Sequence, residues 1–434
     1  MATPAAAPPA PLTPSQIAIV KSTAPLLKAH GVEITTLFYN NLLAAHPALR
    51  AVFSATSQAT GRQPRALAAA VLAYAVHVDE PAALAAAVER IAHKHASLGV
   101  EAAQYPVVGE HLIAAVAAVL GDAVTPEVAD AWTAAYNSLA AIFVGREAQI
   151  YEAFDADSGA GGWRGWRRFR VQRRAPESAE MTSFYLAPED GRPLPLFRPG
   201  QYVSLHVYVP ELGCLQPRQY SLSDAPRPDY YRISVKREED NPTEAGGGGA
   251  VSVPGLISNR LHADYPEGAT LELSHPAGEF FLDASSPGQS SPPAAPVVLI
   301  SAGVGITPTI SILNHIVASG SPRPVAWVHG THSSAVRAFG DHVRGVAAQH
   351  PNVDTAVFLT EVQEGKDVRG VDYDHQGRVD LDKLEPGRLF LGDPAAEYYV
   401  CGPFGFMAGI KDRLVAKGVD AARVHMEVFG TGDE

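Results

Sequence analysis

Cysteine is scarce in this 434-residue sequence: only Cys214 and Cys401 occur, far apart in the chain. Two isolated thiols exclude a disulfide scaffold and a zinc or iron–sulfur site built on thiolates. Basic residues are also few, since 34 Lys and Arg face 46 Asp and Glu and give a formal net charge of −12. We therefore expect no nucleic-acid partner, because a phosphate-backbone binder needs a basic face.

Long hydrophobic runs are missing as well. The longest uncharged apolar run, from Leu67 to Val76, is about half of the ~20 residues that a membrane helix needs. The N-terminus has no basic segment followed by an apolar block, so it does not resemble a secretory signal. The sequence thus predicts a cytoplasmic protein without a transmembrane segment, and its length favours two or three domains.

The first third of the chain is predicted to be all-helical. Residues 1–12 are almost wholly Ala and Pro and predict a disordered tail. Order should begin at Thr13, which is followed by Pro14 and, at the capping-box position, by Gln16. Ala- and Leu-rich segments with a period near 3.6 then continue through 13–154.

Two further domains are predicted after glycine- and proline-rich linkers. The first linker is 155–165, and the short alternating strands of 166–284 are typical of an antiparallel β-barrel. A glycine-rich stretch at 239–254 is interpreted as a surface insertion. The second linker is 285–295, after which short apolar strands alternate with helices over 296–434. This alternation predicts a parallel α/β sheet.

One histidine of the helical domain lies where a polar side chain needs a partner. Val88, Ile91 and Ala92 form an apolar helix face, and His95 falls on it, whereas His93 points away from that face. An iron atom is one candidate partner for His95. A hydrogen-bonded core histidine is the alternative, and the spacing leaves both open.

A buried carboxylate is predicted in the last helix of this domain. Glu147 falls inside an apolar stripe that comprises Trp132, Tyr136, Leu139, Phe143 and Ile150. A carboxylate on an apolar face is costly unless it is paired or hydrogen-bonded. It could accept a proton from a ligating imidazole or a tyrosine, or it could pair with an arginine. The pattern does not decide between these partners.

Three local motifs give residues 13–154 a family resemblance. The segments Ile91–Ser97, Gln104–Leu112 and Arg146–Tyr151 resemble the globin domain of bacterial flavohaemoglobins, and the similarity extends over the whole stretch. The resemblance implies that His95 is the proximal ligand of a haem b iron. It also implies that Tyr105 and Glu147 complete a proximal hydrogen-bonded triad, which favours oxygen activation over storage.

The same resemblance implies a distal haem pocket. Tyr39 would stabilise dioxygen on the iron, Gln63 and Leu67 would take the other distal positions, and Phe53 would pack on the porphyrin. Lys94 would lie at the junction between haem and flavin. A lipid or another hydrophobic ligand is a further expected occupant of this pocket.

A flavin is expected because haem iron takes one electron at a time, whereas nicotinamide delivers two. The run Arg218, Gln219, Tyr220, Ser221 resembles the R-x-Y-S motif of ferredoxin reductase-like proteins, which implies FAD binding. In that family the tyrosine packs on the isoalloxazine, the serine bonds near N5 and the arginine pairs with the pyrophosphate. Segments with Tyr202 before this motif and Ser258 after it occur in the family's order, the latter fitting a phosphate at a helix N-terminus.

The last domain carries a glycine-rich turn between a strand and a helix, a context typical of phosphate binding. Cofactor-binding residues are expected in that turn and in two segments that resemble the same reductase family: Gly303, Val304, Gly305, Ile306, Thr307, Pro308; Cys401, Gly402; Glu427, Val428, Phe429, Gly430. The family usually has proline after the last of these glycines, but this sequence has Thr431.

The preferred nicotinamide nucleotide is weakly indicated. The loop His329–Ser334 has no acidic residue to hold a ribose diol and no basic pair for a 2′-phosphate, although Arg337 is near. We expect NADH, with NADPH tolerated.

The resemblance implies a nitric oxide dioxygenase, in which electrons pass from NAD(P)H through FAD to haem and O2 converts NO to nitrate. We expect a monomer whose partners are these small molecules. A reductase acting on peroxides or ferric compounds is the enzymatic alternative. An oxygen carrier or sensor is the other, and it needs no attached reductase.

Overall fold

A computed structural model describes residues 10–156, 161–238, 242–244, 250–252, 255–283 and 295–429. Several predicted features lie wholly or partly outside these residues: the 1–12 tail, the 155–165 and 285–295 linkers, the 239–254 insertion and Gly430. The described parts form three domains in chain order.

The N-terminal domain is all-helical, as predicted. Its helices are α1 Pro14–Ser22, α2 Ala24–Ala45, α3 Ala55–Ala59, α4 Arg62–Val76, α5 Ala85–Leu98, α6 Gln104–Leu120 and α7 Pro126–Ala156. Thr13 caps α1 through the predicted reciprocal box with Gln16. Helix α2 packs on α4 and α6, and α5 packs on α7. The core between them includes Phe38, Leu42 and Trp132.

One described helix is long and apolar enough, by length and composition, to cross a membrane: Gln104–Ala123. It contains α6, which packs on α2 and α7 and buries Leu112, Ala115 and Val116 against the helical core. Core helices of soluble domains pass the same test of length and composition, so this helix is weak evidence for a membrane span.

The second domain is a six-stranded antiparallel barrel in the order β4-β3-β8-β1-β2-β5. Its elements are β1 Arg167–Pro176, β2 Met181–Pro188, β3 Tyr202–Val209, β4 Cys214–Ser221, β5 Tyr231–Lys236, a short pair β6 Pro242–Glu244 and β7 Ala250–Ser252, α8 Leu256–Asp264 and β8 Thr270–Leu273. An antiparallel bridge between Leu222 and Ile233 brings the end of β4 to β5, so the barrel closes at this point while the rest of β4 lies at the edge of the sheet. Phe169, Phe184 and Leu205 lie in its core.

The third domain is a parallel sheet in the order β12-β11-β10-β9-β13-β14. Its elements are β9 Val297–Ala302, α9 Ile306–Ala318, β10 Val325–Thr331, α10 Gly340–Gln349, β11 Val353–Leu359, β12 His375–Gln376, β13 Glu397–Cys401, α11 Phe404–Ala416 and β14 Val424–Glu427. The strand order reverses between β9 and β13. Ligands of open α/β sheets bind at such a point, beyond the carboxyl ends of the strands.

The predicted fold class is confirmed: helices, then an antiparallel barrel, then a parallel α/β sheet. The alternating segments Tyr202–Val209, Tyr231–Lys236 and Thr270–Leu273 each form one strand of the barrel. Strand β4 was not predicted, because it carries the polar R-x-Y-S run and Pro217.

Candidate functional site

A single cavity of about 550 Å³ is lined by residues of all three domains. Tyr39 and His95 come from the helical domain, Arg218 and Tyr220 from the barrel, and Val304 from the α/β domain. The structure therefore brings the predicted haem and flavin residues together around one space.

His95 faces this cavity from α5, and its other side is held by a carboxylate. His95 Nδ1 lies 2.8 Å from Glu147 Oε1 and 3.1 Å from the Tyr105 hydroxyl, and Tyr105 donates to the same Oε1 at 2.5 Å. Because Nδ1 is engaged here, Nε2 is the nitrogen that can bind a metal in the cavity. A ligating imidazole held by a carboxylate through its second nitrogen is the common arrangement at metal centres.

The partner of Glu147 is thus identified. Its side chain is buried, and it contacts His95 and Tyr105, whereas the neighbouring Arg146 pairs with Glu89 at 2.6 Å. The arginine alternative for Glu147 is wrong. Burial and the adjacent carboxylate raise the pKa of Tyr105, so its hydroxyl keeps the proton that it donates.

A glycine allows this triad to form. Tyr136 of α7 lies against α6 at Gly109, where an added Cβ would come within 2.4 Å of the tyrosine ring. From there the Tyr136 hydroxyl donates to the backbone carbonyl of Tyr105 at 2.6 Å. This hydrogen bond fixes the first turn of α6, which carries the Tyr105 side chain towards His95.

The opposite wall of the cavity carries the predicted distal residues. Gln63 Nε2 donates to the Tyr39 hydroxyl at 3.2 Å, which leaves the phenolic proton able to point into the cavity. Burial raises the pKa of Tyr39, so the hydroxyl stays protonated. The Phe53 ring lies 5.3 Å from that of Tyr39, edge to face, and Leu67 lines the cavity beside them.

The barrel wall of the cavity presents the first three residues of the R-x-Y-S run, Arg218, Gln219 and Tyr220, which Ser221 follows. Ser221 Oγ is buried without a hydrogen-bond partner in the described part of the chain, and a buried polar atom of this kind needs a partner. A flavin edge would supply one. Tyr220 and Ser258, the latter in the first turn of α8, line the same cavity. These observations fit the predicted flavin.

Arg218 also makes contacts that its motif did not predict. It lines the cavity, but its guanidinium donates to Thr56 Oγ1 in α3 at 3.0 Å and to the Pro217 carbonyl at 2.8 Å. This arginine therefore also joins the barrel to the helical domain. Beside it Gln216 accepts from Ala55 N at 2.7 Å and donates to the Arg50 carbonyl at 3.0 Å.

A chain of hydrogen bonds links the His95 helix to the R-x-Y-S strand. The hydroxyls of Ser97 in α5 and Ser204 in β3 are 2.8 Å apart, and Gln219 Nε2 donates to the Ser204 hydroxyl at 3.0 Å. Both serines are buried. The orientation of α5 is thereby tied to the strand that carries Tyr220.

His93 points away from the cavity, as predicted, but it is not a surface residue. It lies 3.1 Å from Glu89, and its Nδ1 accepts from the backbone N–H of Gly278 in the barrel domain at 3.2 Å. This contact spans 185 residues of sequence. It belongs to the surface on which the two domains dock.

In the α/β domain the predicted glycines lie at the reversal point of the sheet. An added Cβ at Gly305 would lie 2.2 Å from the Cys401 carbonyl oxygen, so helix α9 and strand β13 approach as closely as backbones can. Gly402 is similarly tight against Ala302 and the Phe406 ring. Both glycines are thus required by close packing at the carboxyl ends of β9 and β13, where open α/β sheets of this topology bind their ligands.

The cavity lining does not include the other predicted residues: Glu147, Tyr202, Ser221, Gly303, Gly305, Ile306, Thr307, Pro308, Cys401, Gly402, Glu427, Val428 and Phe429. Burial and the nearby Glu279 raise the pKa of Glu427. Gly430 lies outside the described residues. Lys236 and Glu238, at the end of β5, line the cavity but were not predicted, since no motif marks them.

Two family models match segments that lie within the predicted helical domain and the predicted α/β domain. Residues 36–143 match the globin family model, and residues 299–412 match the oxidoreductase NAD-binding domain model. The fold and the shared cavity thus define an NAD-binding oxidoreductase with an attached globin domain.

Comparison with individual proteins gives the family. The chain is 49% identical to a flavohemoprotein of Bordetella pertussis over 97% of its length and 99% of that protein, and 47% identical to one of Deinococcus radiodurans over 96% and 97%. The chain belongs to the flavohaemoprotein family, as its resemblance predicted.

Solved structures agree. A flavohemoglobin of Malassezia yamatoensis with bound FAD and heme superposes with a TM-score of 0.79 at 26% identity, covering 96% of this chain and all of that one. The FAD/NAD-binding domain of a Vibrio cholerae nitric oxide dioxygenase is 36% identical, with a TM-score of 0.50, over 61% of this chain and 98% of that one. The predicted cofactor set is the one that this family uses.

Proposed function

We propose that the chain is an NAD(P)H-dependent nitric oxide dioxygenase that holds haem b, FAD and NAD(P)H. The balanced reaction consumes two NO, two O2 and one NAD(P)H, and it yields two nitrate ions, NAD(P)+ and a proton. The observation that carries the proposal is the shared cavity, which is lined by His95 of the helical domain and by Tyr220 of the barrel domain. The Vibrio cholerae similarity supports the same reaction.

When bound, the three groups supply hydride donation, the splitting of an electron pair into single electrons, and a metal that binds O2 and NO. His95 would ligate the iron through Nε2. Glu147 and Tyr105 would orient the imidazole and increase its donor strength, because a carboxylate at Nδ1 draws the ring proton towards itself.

The distal residues would act on the bound gas. Tyr39 holds a phenolic proton that can be donated into the cavity, and Gln63 fixes the direction of that hydroxyl through its own donation. Leu67 and Phe53 would keep water away from the reacting atoms. On the barrel side Tyr220 would pack on the flavin, and Lys94 would lie between the two cofactors.

The test is NO disappearance at an electrode with purified, haem- and FAD-loaded full-length chain and NADH, in air and under argon. We expect fast consumption that needs both NADH and O2 and produces one nitrate per NO. If NADH oxidation is the same with and without NO, NO is not the substrate. A peroxide or ferric reductase then takes its place.

A second measurement isolates the proximal carboxylate. Glu147→Gln removes the negative charge at His95 Nδ1 while keeping the side-chain shape. We expect NO turnover to fall by about tenfold, the lower end of the effect of losing such a partner, with the haem content unchanged and the haem reduction potential raised. Glu152→Gln, an exposed position on the same helix, is the matched control. An unchanged rate and potential would remove Glu147 from this role.

The cytoplasmic location, the monomeric state and a lipid in the distal pocket stay predictions. Gel filtration with light scattering would measure the oligomeric state. Extraction of the purified chain followed by mass spectrometry would detect a bound lipid.

A further inference from the structure

The adenosine end of the nicotinamide site has an acidic residue that the sequence pattern did not indicate. In open α/β sheets with this topology, the residue at the carboxyl end of the second strand discriminates between a ribose diol and a 2′-phosphate. Here that strand is β10, and the residue after it is His332. The residue at this position is therefore not acidic.

The neighbouring strand supplies one. Strands β10 and β11 are parallel and in register to Thr331 and Leu359, and the pairing continues past the sheet, where Glu361 N donates to the His332 carbonyl at 2.7 Å. This contact sets the Glu361 carboxylate 3.3 Å from His332 Nε2. Both side chains are mostly exposed, at 64% and 68%.

Arg337, the arginine in the loop after β10, does not point into solvent. The Arg337 side chain is 10% exposed, and its guanidinium donates to the Asp372 carbonyl and lies 3.9 Å from Asp372 Oδ1. An added Cβ at Gly340 would meet this guanidinium, so α10 also packs on it. A buried guanidinium that is already paired is not presented to a phosphate in solvent.

We infer that Glu361 is a specificity-determining residue: it takes the ribose hydroxyls of NADH and disfavours the 2′-phosphate of NADPH. A carboxylate accepts hydrogen bonds from both hydroxyls of a diol, whereas it repels a phosphate in the same place. His332 orients this carboxylate by its contact at Nε2. The inference rests on the proposed use of a nicotinamide nucleotide, but not on NO as the substrate.

The test measures binding of 5′-AMP and 2′,5′-ADP to the full-length, cofactor-loaded chain by titration calorimetry. These probes differ only in the 2′-phosphate. We expect the wild type to bind 5′-AMP more tightly, and Glu361→Gln to shift the affinity ratio towards 2′,5′-ADP by about tenfold, since one like-charge repulsion is lost. Flavin reduction by NADPH relative to NADH should rise in parallel.

Two further variants separate the possible causes. Glu364→Gln removes an exposed acid from the same loop and should leave the ratio unchanged, as should Arg337→Gln. Equal binding of the two probes by the wild type, or an unchanged ratio in Glu361→Gln, would overturn the inference. A fall in 2′,5′-ADP affinity in Arg337→Gln would assign the site to the arginine instead. Failure of NO consumption alone would leave all these ratios as expected.

Discussion

Replacement of His95 by alanine is expected to abolish stable haem binding and, with it, NO consumption. The imidazole is the ligand that α5 directs into the cavity, and its loss also leaves the buried Glu147 without one of its two partners, which lies 2.8 Å away. Loss of a mere outer partner of a metal ligand costs about 10–100-fold in affinity or activity, so loss of the ligand itself should exceed that range. The haem absorbance per protein and the CO difference spectrum measure the effect.

The control for this variant is on the same helix. His93→Ala changes a histidine two residues away, which contacts Glu89 and the Gly278 backbone rather than the cavity. It should keep its haem. Flavin reduction by NADH should persist in both variants, because the nicotinamide cleft belongs to another domain. A His95→Ala protein that retains haem with normal CO affinity would show that another residue ligates the iron.

Local patterns predicted the fold well, because the hydrophobic residues of each domain have their own sequence period and because proline and glycine separate the strands. One exception is β4, where Pro217 and its polar neighbours interrupt the alternation. The sheet order explains why a proline is tolerated there: β4 is at the end of the six-stranded order. Proline is confined to edge positions because it cannot donate to a ladder.

Single motifs predicted individual residues of the site, but they did not predict the contacts between residues that are distant in the sequence. The sequence placed Glu147 on a buried face but could not choose between an arginine and a histidine partner, because that choice depends on how α5 and α7 pack. It placed His93 away from the haem side but not against the barrel domain, since the contact with Gly278 joins distant parts of the chain. Glu361 was not predicted for the same reason, since its contact with His332 depends on the register between strands β10 and β11.

Docking of the three domains is also invisible to local patterns, yet it creates the shared cavity. The first two domains are held by polar contacts, such as the Ser97–Ser204 pair and the Arg218–Thr56 bond, and by an apolar cluster that joins Phe154 to Tyr202 and Ala277. These contacts fix the distance between His95 and Tyr220 across the cavity. Electron transfer between two cofactors depends on that distance, so these contacts belong to the function as well as to stability.

The second large effect is expected from Gly305→Ala, which should block flavin reduction while leaving the haem site intact. The Gly305 backbone lies in an ordinary right-handed region, with φ at −60°, so alanine causes no conformational strain. Its Cβ, however, would lie 2.2 Å from the Cys401 carbonyl oxygen and 2.4 Å from the carbonyl carbon. Backbone atoms cannot rotate away, so α9 must move from β13 at the point where the nicotinamide nucleotide is expected.

A displacement of about 1 Å at a reacting centre can cost on the order of a hundredfold in rate, and we expect that loss in stopped-flow reduction of the flavin by NADH. Dithionite-reduced haem should still give the normal CO spectrum, because its domain is untouched. Gly345→Ala is the control: this glycine is in α10 with nothing within 4 Å of its added Cβ, so alanine should stabilise the helix by up to about 1 kcal/mol. Normal flavin reduction in Gly305→Ala would mean that the nucleotide does not depend on this close approach.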